Sequence, residues 1–73
     1  MLEPQQDIKQ QVANLIREAR KAKGLTQEEL GERLGVTKAA INSYETGKQN
    51  LTVVTLQKLS IALGESLQIS IGK

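Results

Sequence analysis

The stretch that most constrains this chain is Thr26 to Tyr44, TQEELGERLGVTKAAINSY. Leu30 and Leu34 lie one helical turn apart and share a face. Ile41 and Tyr44 share a face in the same way a little further on. Between the two pairs stands Gly35, which can take the left-handed conformation that ends one helix sharply and starts the next. Thr26 followed by Glu29 is a capping box, in which hydroxyl and carboxylate each satisfy a free backbone donor of the first turn. Thr37 is the N-cap of the next segment. The expectation is helix, glycine turn, helix. Gly31 costs about 1 kcal/mol against alanine inside a helix, so it implies that the second helix crosses closely over that point.

The second of these helices, 37–46, turns an apolar face inward and leaves Lys38, Ala39, Asn42 and Ser43 outside. Short and polar side chains of this kind suit the edges of bases in a major groove.

The rest of the chain supports that unit. Residues 1–6 read as a flexible lead-in containing Pro4. Asp7 is a candidate N-cap for a helix running to about Lys23, with Ile8, Val12, Leu15, Ile16, Ala19 and Ala22 as its apolar stripe. Arg17, Arg20, Lys21 and Lys23 crowd its end. There they complement the helix dipole or, alternatively, meet DNA phosphates. Gly24 closes the helix. A loop with Gly47, Lys48 and Asn50 follows the 37–46 helix. Thr52 caps a fourth helix to about Leu63, with Val53, Leu56, Leu59, Ala62 and Leu63 facing the core. Val54 and Ile61 fall on a different stripe of that helix, with Lys58 between them, and hint at a subunit interface.

The tail from Ser66 to Ile71 alternates polar and apolar residues, which is a strand pattern. A lone strand leaves its backbone unpaired, so the pattern predicts pairing with the same strand of a second copy, through Leu67, Ile69 and Ile71. The alternative is a tail that is disordered or packed on the helices.

Composition removes several classes of function. Cysteine and histidine are both absent. Disulfides, thiolate metal sites and the commonest general base go with them, so neither an enzyme nor a cofactor is expected. No apolar run is long enough to span a membrane, and a cytoplasmic location is expected. Ten basic and eight acidic residues give a net charge of +2, which permits nucleic-acid binding without demanding it. The only aromatic residue is one tyrosine. Single-strand and RNA binders stack bases on aromatic rings, so duplex DNA is the expected partner.

The run IREARKAKGLTQEELGERLGVTKAAINSYETGK resembles the Cro/C1-type (XRE-like) helix-turn-helix domain of lambdoid phage repressors, Cro proteins and many bacterial regulators. The LTQxELxxxLGV run, the ExGK loop and the TLxKLxxALG helix carry the resemblance, which covers about residues 8–64. It implies an all-α, lambda-repressor-like bundle of four helices over residues 7–64. With the strand and dimerisation tail of residues 65–73, it implies a dimeric, sequence-specific regulator, a repressor reading a pseudo-palindrome. Carried over residue by residue, it places Gln27 on a backbone phosphate. Thr37, Lys38, Ala39, Asn42 and Ser43 take the recognition positions, and Lys48 and Asn50 the phosphate-facing loop. Arg20 and Glu45 correspond to a structural salt bridge of the family. Gly31 departs from the alanine that is usual there. The TLQKLSIALGESLQISI ending is similar to HipB-like antitoxins, which bind a toxin protein and repress their own operon. The alternative expectation is therefore an antitoxin with a cognate toxin as partner, and Val54 and Ile61 with the tail as its contact surface.

Overall fold

A computed structural model of the chain describes residues 8–69. Four helices follow one another: α1 (Ile8–Ala22), α2 (Gln27–Leu34), α3 (Lys38–Thr46) and α4 (Val53–Leu63). α3 packs on α1 and α2, and α4 packs on α2 and, less extensively, on α1. Val12, Ile16, Leu30, Ile41, Leu59 and Leu63 form the buried core, with at least one from each helix. Burying such side chains contributes about 1.5–3 kcal/mol each, so a short chain holds together only if all four helices contribute.

Local chemistry fixes where each helix starts and stops. Thr26 and Glu29 form the reciprocal capping box, with Glu29 N–H to the Thr26 hydroxyl at 3.0 Å and Thr26 N–H to the Glu29 carboxylate at 2.9 Å. Thr37 and Thr52 cap α3 and α4 by accepting from the N–H groups of Ala40 and Thr55. α2 ends at Gly35, with φ at 77°, and the Val36 N–H reaches back to the Gly31 carbonyl at 2.9 Å. This backward bond satisfies a carbonyl that the helix end leaves free.

Gly31 is buried where the chain returns over α2. A Cβ there would lie 2.7 Å from the Val36 carbonyl oxygen and 3.3 Å from the Thr37 backbone. The approaching element is thus the α2–α3 turn, rather than the body of α3 that the sequence led us to expect. Backbone cannot swing aside as a side chain can. Replacing Gly31 by valine is expected to cost at least about 2 kcal/mol, as overpacking does, outweighing the gain in helix propensity. Urea unfolding followed by circular dichroism measures it, and an unchanged midpoint would contradict the close approach.

The stripes read from periodicity need correction at four positions. Val53 was expected in the core and is 81% exposed. It opens α4 on the flank away from Leu59 and Leu63, and the inward position is taken by half-buried Leu56. On α1, Ile8 and Ala22 are exposed, whereas Ala13, which the stripe omitted, is 1% exposed. The reading of Asp7 as N-cap lies outside the described residues.

The expected C-terminal strand is not seen. Among the described residues there is no strand, and residues 66–69 have no regular secondary structure. The alternation there has a different cause. Leu67 and Ile69 pack half-buried against the chain's own core, while Ser66 and Gln68 face outward. Just before them the chain reverses, with the Glu65 N–H bonded to the Ser60 carbonyl at 3.1 Å and the Ser60 hydroxyl donating to the Glu65 carbonyl. One covered face yields period two whether the cover is a sheet or a helical bundle. Ile71 lies outside the described residues.

Candidate nucleic-acid interface

The outward face of α3 is exposed at Thr37, Lys38, Ala39 and Asn42, and half-buried at Ser43. The inward face holds fully buried Ile41, half-buried Tyr44 and buried Glu45. The structure therefore brings the five sequence-expected recognition positions onto one short, anchored helix. The Thr37 oxygen already accepts the Ala40 N–H at 3.0 Å, so its remaining capacity is one O–H donor and a lone pair. Lys48 and Asn50 are exposed just beyond Gly47, whose φ of 77° lets the chain leave α3 abruptly. A Cβ at Gly47 would meet the Gln10 side-chain oxygen at 3.1 Å, so α1 and the α3 exit lie in contact.

What holds α3 in place is charged. Glu45 is 4% exposed and is the buried polar residue beneath the helix. Arg20 grips both carboxylate oxygens, through Nε at 2.6 Å and Nη2 at 3.1 Å, and its Nη1 donates to the Leu25 carbonyl at 2.8 Å. Two parallel charge-assisted bonds fix angle as well as distance. The hydrogen bond to Glu45 raises the Arg20 pKa above its ordinary value, outweighing desolvation, so the guanidinium stays charged. α1, the α1–α2 turn and α3 are thereby joined at one point.

Gln27 belongs to the same network, which sequence reasoning missed. Its Nε2 donates to Glu45 Oε1 at 3.1 Å, and the side chain is half-buried. A phosphate contact by this amide falls to its second N–H, with the first held by Glu45. No local sequence signal pointed to the bond, because the two residues lie on different helices.

The basic cluster at the end of α1 divides. Arg20 is committed to Glu45, and Lys23 lies 3.8 Å from Glu65 in a loose, exposed contact worth at most about 1 kcal/mol. Arg17 and Lys21 are exposed. On α4, Val54 and Ile61 are 59% and 74% exposed. No helix among the described residues is long and apolar enough to cross a membrane.

Comparison with known proteins agrees with this geometry. A family described as helix-turn-helix matches residues 16–69. An uncharacterised HTH-type transcriptional regulator from Methanothermobacter thermautotrophicus is 48% identical over 50 residues, covering 68% of this chain and 72% of the relative. The antitoxin HipB of Escherichia coli is 32% identical over 59 residues, covering 81% and 67%. Among solved structures, the restriction-modification controller protein C.Esp1396I, a tetramer on its natural 35-base-pair operator, superposes with a TM-score of 0.77. It is 27% identical, covering 85% of this chain and 82% of that one.

Proposed function

The chain belongs to the helix-turn-helix family of DNA-binding transcriptional regulators, and on that premise we propose that it is a dimeric repressor reading a pseudo-palindromic operator through α3. The observation that carries this reading is the outward face of α3. It is small and polar, on a helix clamped from beneath by a buried ion pair. Lys38 suits guanine, Asn42 suits adenine, and the Ala39 methyl suits the thymine methyl. Thr37 and Ser43 flank them, while Lys48, Asn50 and the second amide N–H of Gln27 are assigned to phosphates. Two copies related by a two-fold axis present two such helices about 34 Å apart, one turn of duplex. The relative solved on its operator supports an oligomer on DNA. We assign no catalytic role to the chain, and a cytoplasmic site of action.

A second reading is favoured by the similarity to HipB. An antitoxin would bind a toxin protein as well as its own operator. Co-purification of one stoichiometric partner from the native host separates the two, since a plain repressor yields none.

The test of the leading reading is stoichiometry and salt dependence on duplex DNA. Sedimentation with a selected duplex should give protomers in multiples of two. The slope of log affinity against log salt should be negative, at about 0.9 for each phosphate contacted. Replacing Lys48 by alanine should weaken binding to all sequences alike and reduce the slope by about 1 per protomer. One protomer per duplex, or a slope unmoved by Lys48→Ala, would count against the assignment.

A further inference from the structure

The start of α1, the end of α3, the α3–α4 loop and α4 border a half-open cavity of about 140 Å³. Its walls are apolar: Ile8 and Val12 from α1, the Tyr44 ring from α3, Leu51 from the loop and Leu56 from α4. Gln49 and Asn50, in the same loop, add exposed amides. Among the described residues, no side-chain hydrogen bond engages the Tyr44 hydroxyl or either amide. Packed interiors hold few voids larger than a water molecule, and an apolar one holds water poorly. An engineered cavity of about 150 Å³ with aliphatic and aromatic walls binds benzene. The one charged residue on the lining, Lys9, is exposed, so salt screens it and an ionic ligand gains little there.

We propose that this cavity takes one neutral, single-ring aromatic molecule carrying a hydroxyl group, and that the bound molecule loosens the protein's hold on DNA. Volume sets the single ring. The Tyr44 ring favours an aromatic body over an aliphatic one, through edge-to-face or offset contact. The unengaged hydroxyl and amides call for a group that both donates and accepts. A ligand so small binds at about millimolar concentration. The second half of the inference rests on the functional reading above, in which Asn50 meets a phosphate. Gln49, Asn50 and Leu51 have no regular secondary structure, so their side chains decide how the loop lies. The Asn50 amide cannot turn to the cavity and to the duplex at once, and the two partners therefore compete for the loop. Such coupling is reciprocal: each partner weakens the other by the same factor.

Tyr44 is the one aromatic residue and histidine is absent, so in heavy water its ring protons supply the protein's aromatic proton resonances. Titration with ring-deuterated phenol should shift them along a saturating curve with a midpoint at about millimolar. Naphthol, with two fused rings, should give no saturating shift. Ile8→Glu removes an apolar wall that is 40% exposed and sets a carboxylate in the first turn of α1, where the helix dipole favours it. The fold should survive, and phenol binding should weaken about fivefold or more. Fluorescence anisotropy on the selected operator should show affinity falling about tenfold at saturating phenol. No Tyr44 shift, or a linear one indifferent to Ile8→Glu, overturns the site. Saturable phenol binding that leaves operator affinity unmoved overturns the competition and keeps the site. Saturable phenol binding in a protein that selects no DNA sequence sinks the functional reading, and the competition with it, while the site stands.

Discussion

Replacing Glu45 by alanine is expected to remove about 3–5 kcal/mol of folding stability, the range for breaking one partner out of a buried pair. The Glu45 side chain is 2% exposed and that of Arg20 12%. Without the carboxylate, the Arg20 guanidinium keeps its bond to the Leu25 carbonyl but loses both charged acceptors, and Gln27 loses its own. Domains of this size hold about 5 kcal/mol in total, so the variant should be close to unfolded at room temperature. Thermal and urea unfolding by circular dichroism, at one fixed protein concentration, read it directly. Replacing Arg20 by methionine and Glu45 by leucine together should recover much of the loss, because paired apolar groups leave no charge stranded. Lys23→Ala, which breaks only the exposed contact to Glu65, should change stability by less than about 0.5 kcal/mol. A Glu45→Ala variant within about 1 kcal/mol of the original would mean that the clamp does not hold α3.

The second large effect is on DNA and should leave folding alone. Asn42→Ala removes an exposed side chain that makes no bond on which the bundle depends. A good bidentate base contact is worth about 1–3 kcal/mol of discrimination, and a dimer uses each one twice. The expected loss on the selected operator is therefore at least about 2 kcal/mol, or about 30-fold in affinity. Adding Lys38→Ala deepens it. Binding to unrelated duplex should fall little with Asn42→Ala, since an amide contributes no counterion release, and more with Lys38→Ala. Fluorescence anisotropy on the selected and a scrambled duplex gives both values. A double variant that keeps its operator affinity within threefold, with an unchanged melting curve, would place base readout elsewhere than α3.

The contrast between these two predictions reflects what could be read from the sequence. Helix starts were legible because caps are local: Thr26, Glu29, Thr37 and Thr52 act on backbone three residues away. The turn at Gly35 was legible for the same reason. The outward set on α3 followed from Ile41 and Tyr44, since a short helix has only two sides. Burial set by distant partners was less accessible. Periodicity put Val53 in the core, yet the first residue of α4 escapes it. The close approach at Gly31 was anticipated, but from the wrong element, because sequence gives no crossing point. Arg20 and Glu45 stand far apart in the chain, and only family resemblance paired them, while Gln27 had been assigned to phosphate alone. The tail is the clearest case. Alternation in Leu67, Gln68 and Ile69 was read as a strand, whereas the segment has no regular secondary structure and packs its apolar residues on the chain's own core.

The proposed function makes α3 the reading head. A binding-site selection with purified protein and random duplex DNA at near-physiological salt tests that claim most directly. The structure predicts an enriched pseudo-palindrome with half-sites one helical turn apart, and base preferences that shift when Lys38 or Asn42 is replaced. Salt-sensitive binding with no enriched sequence would contradict it.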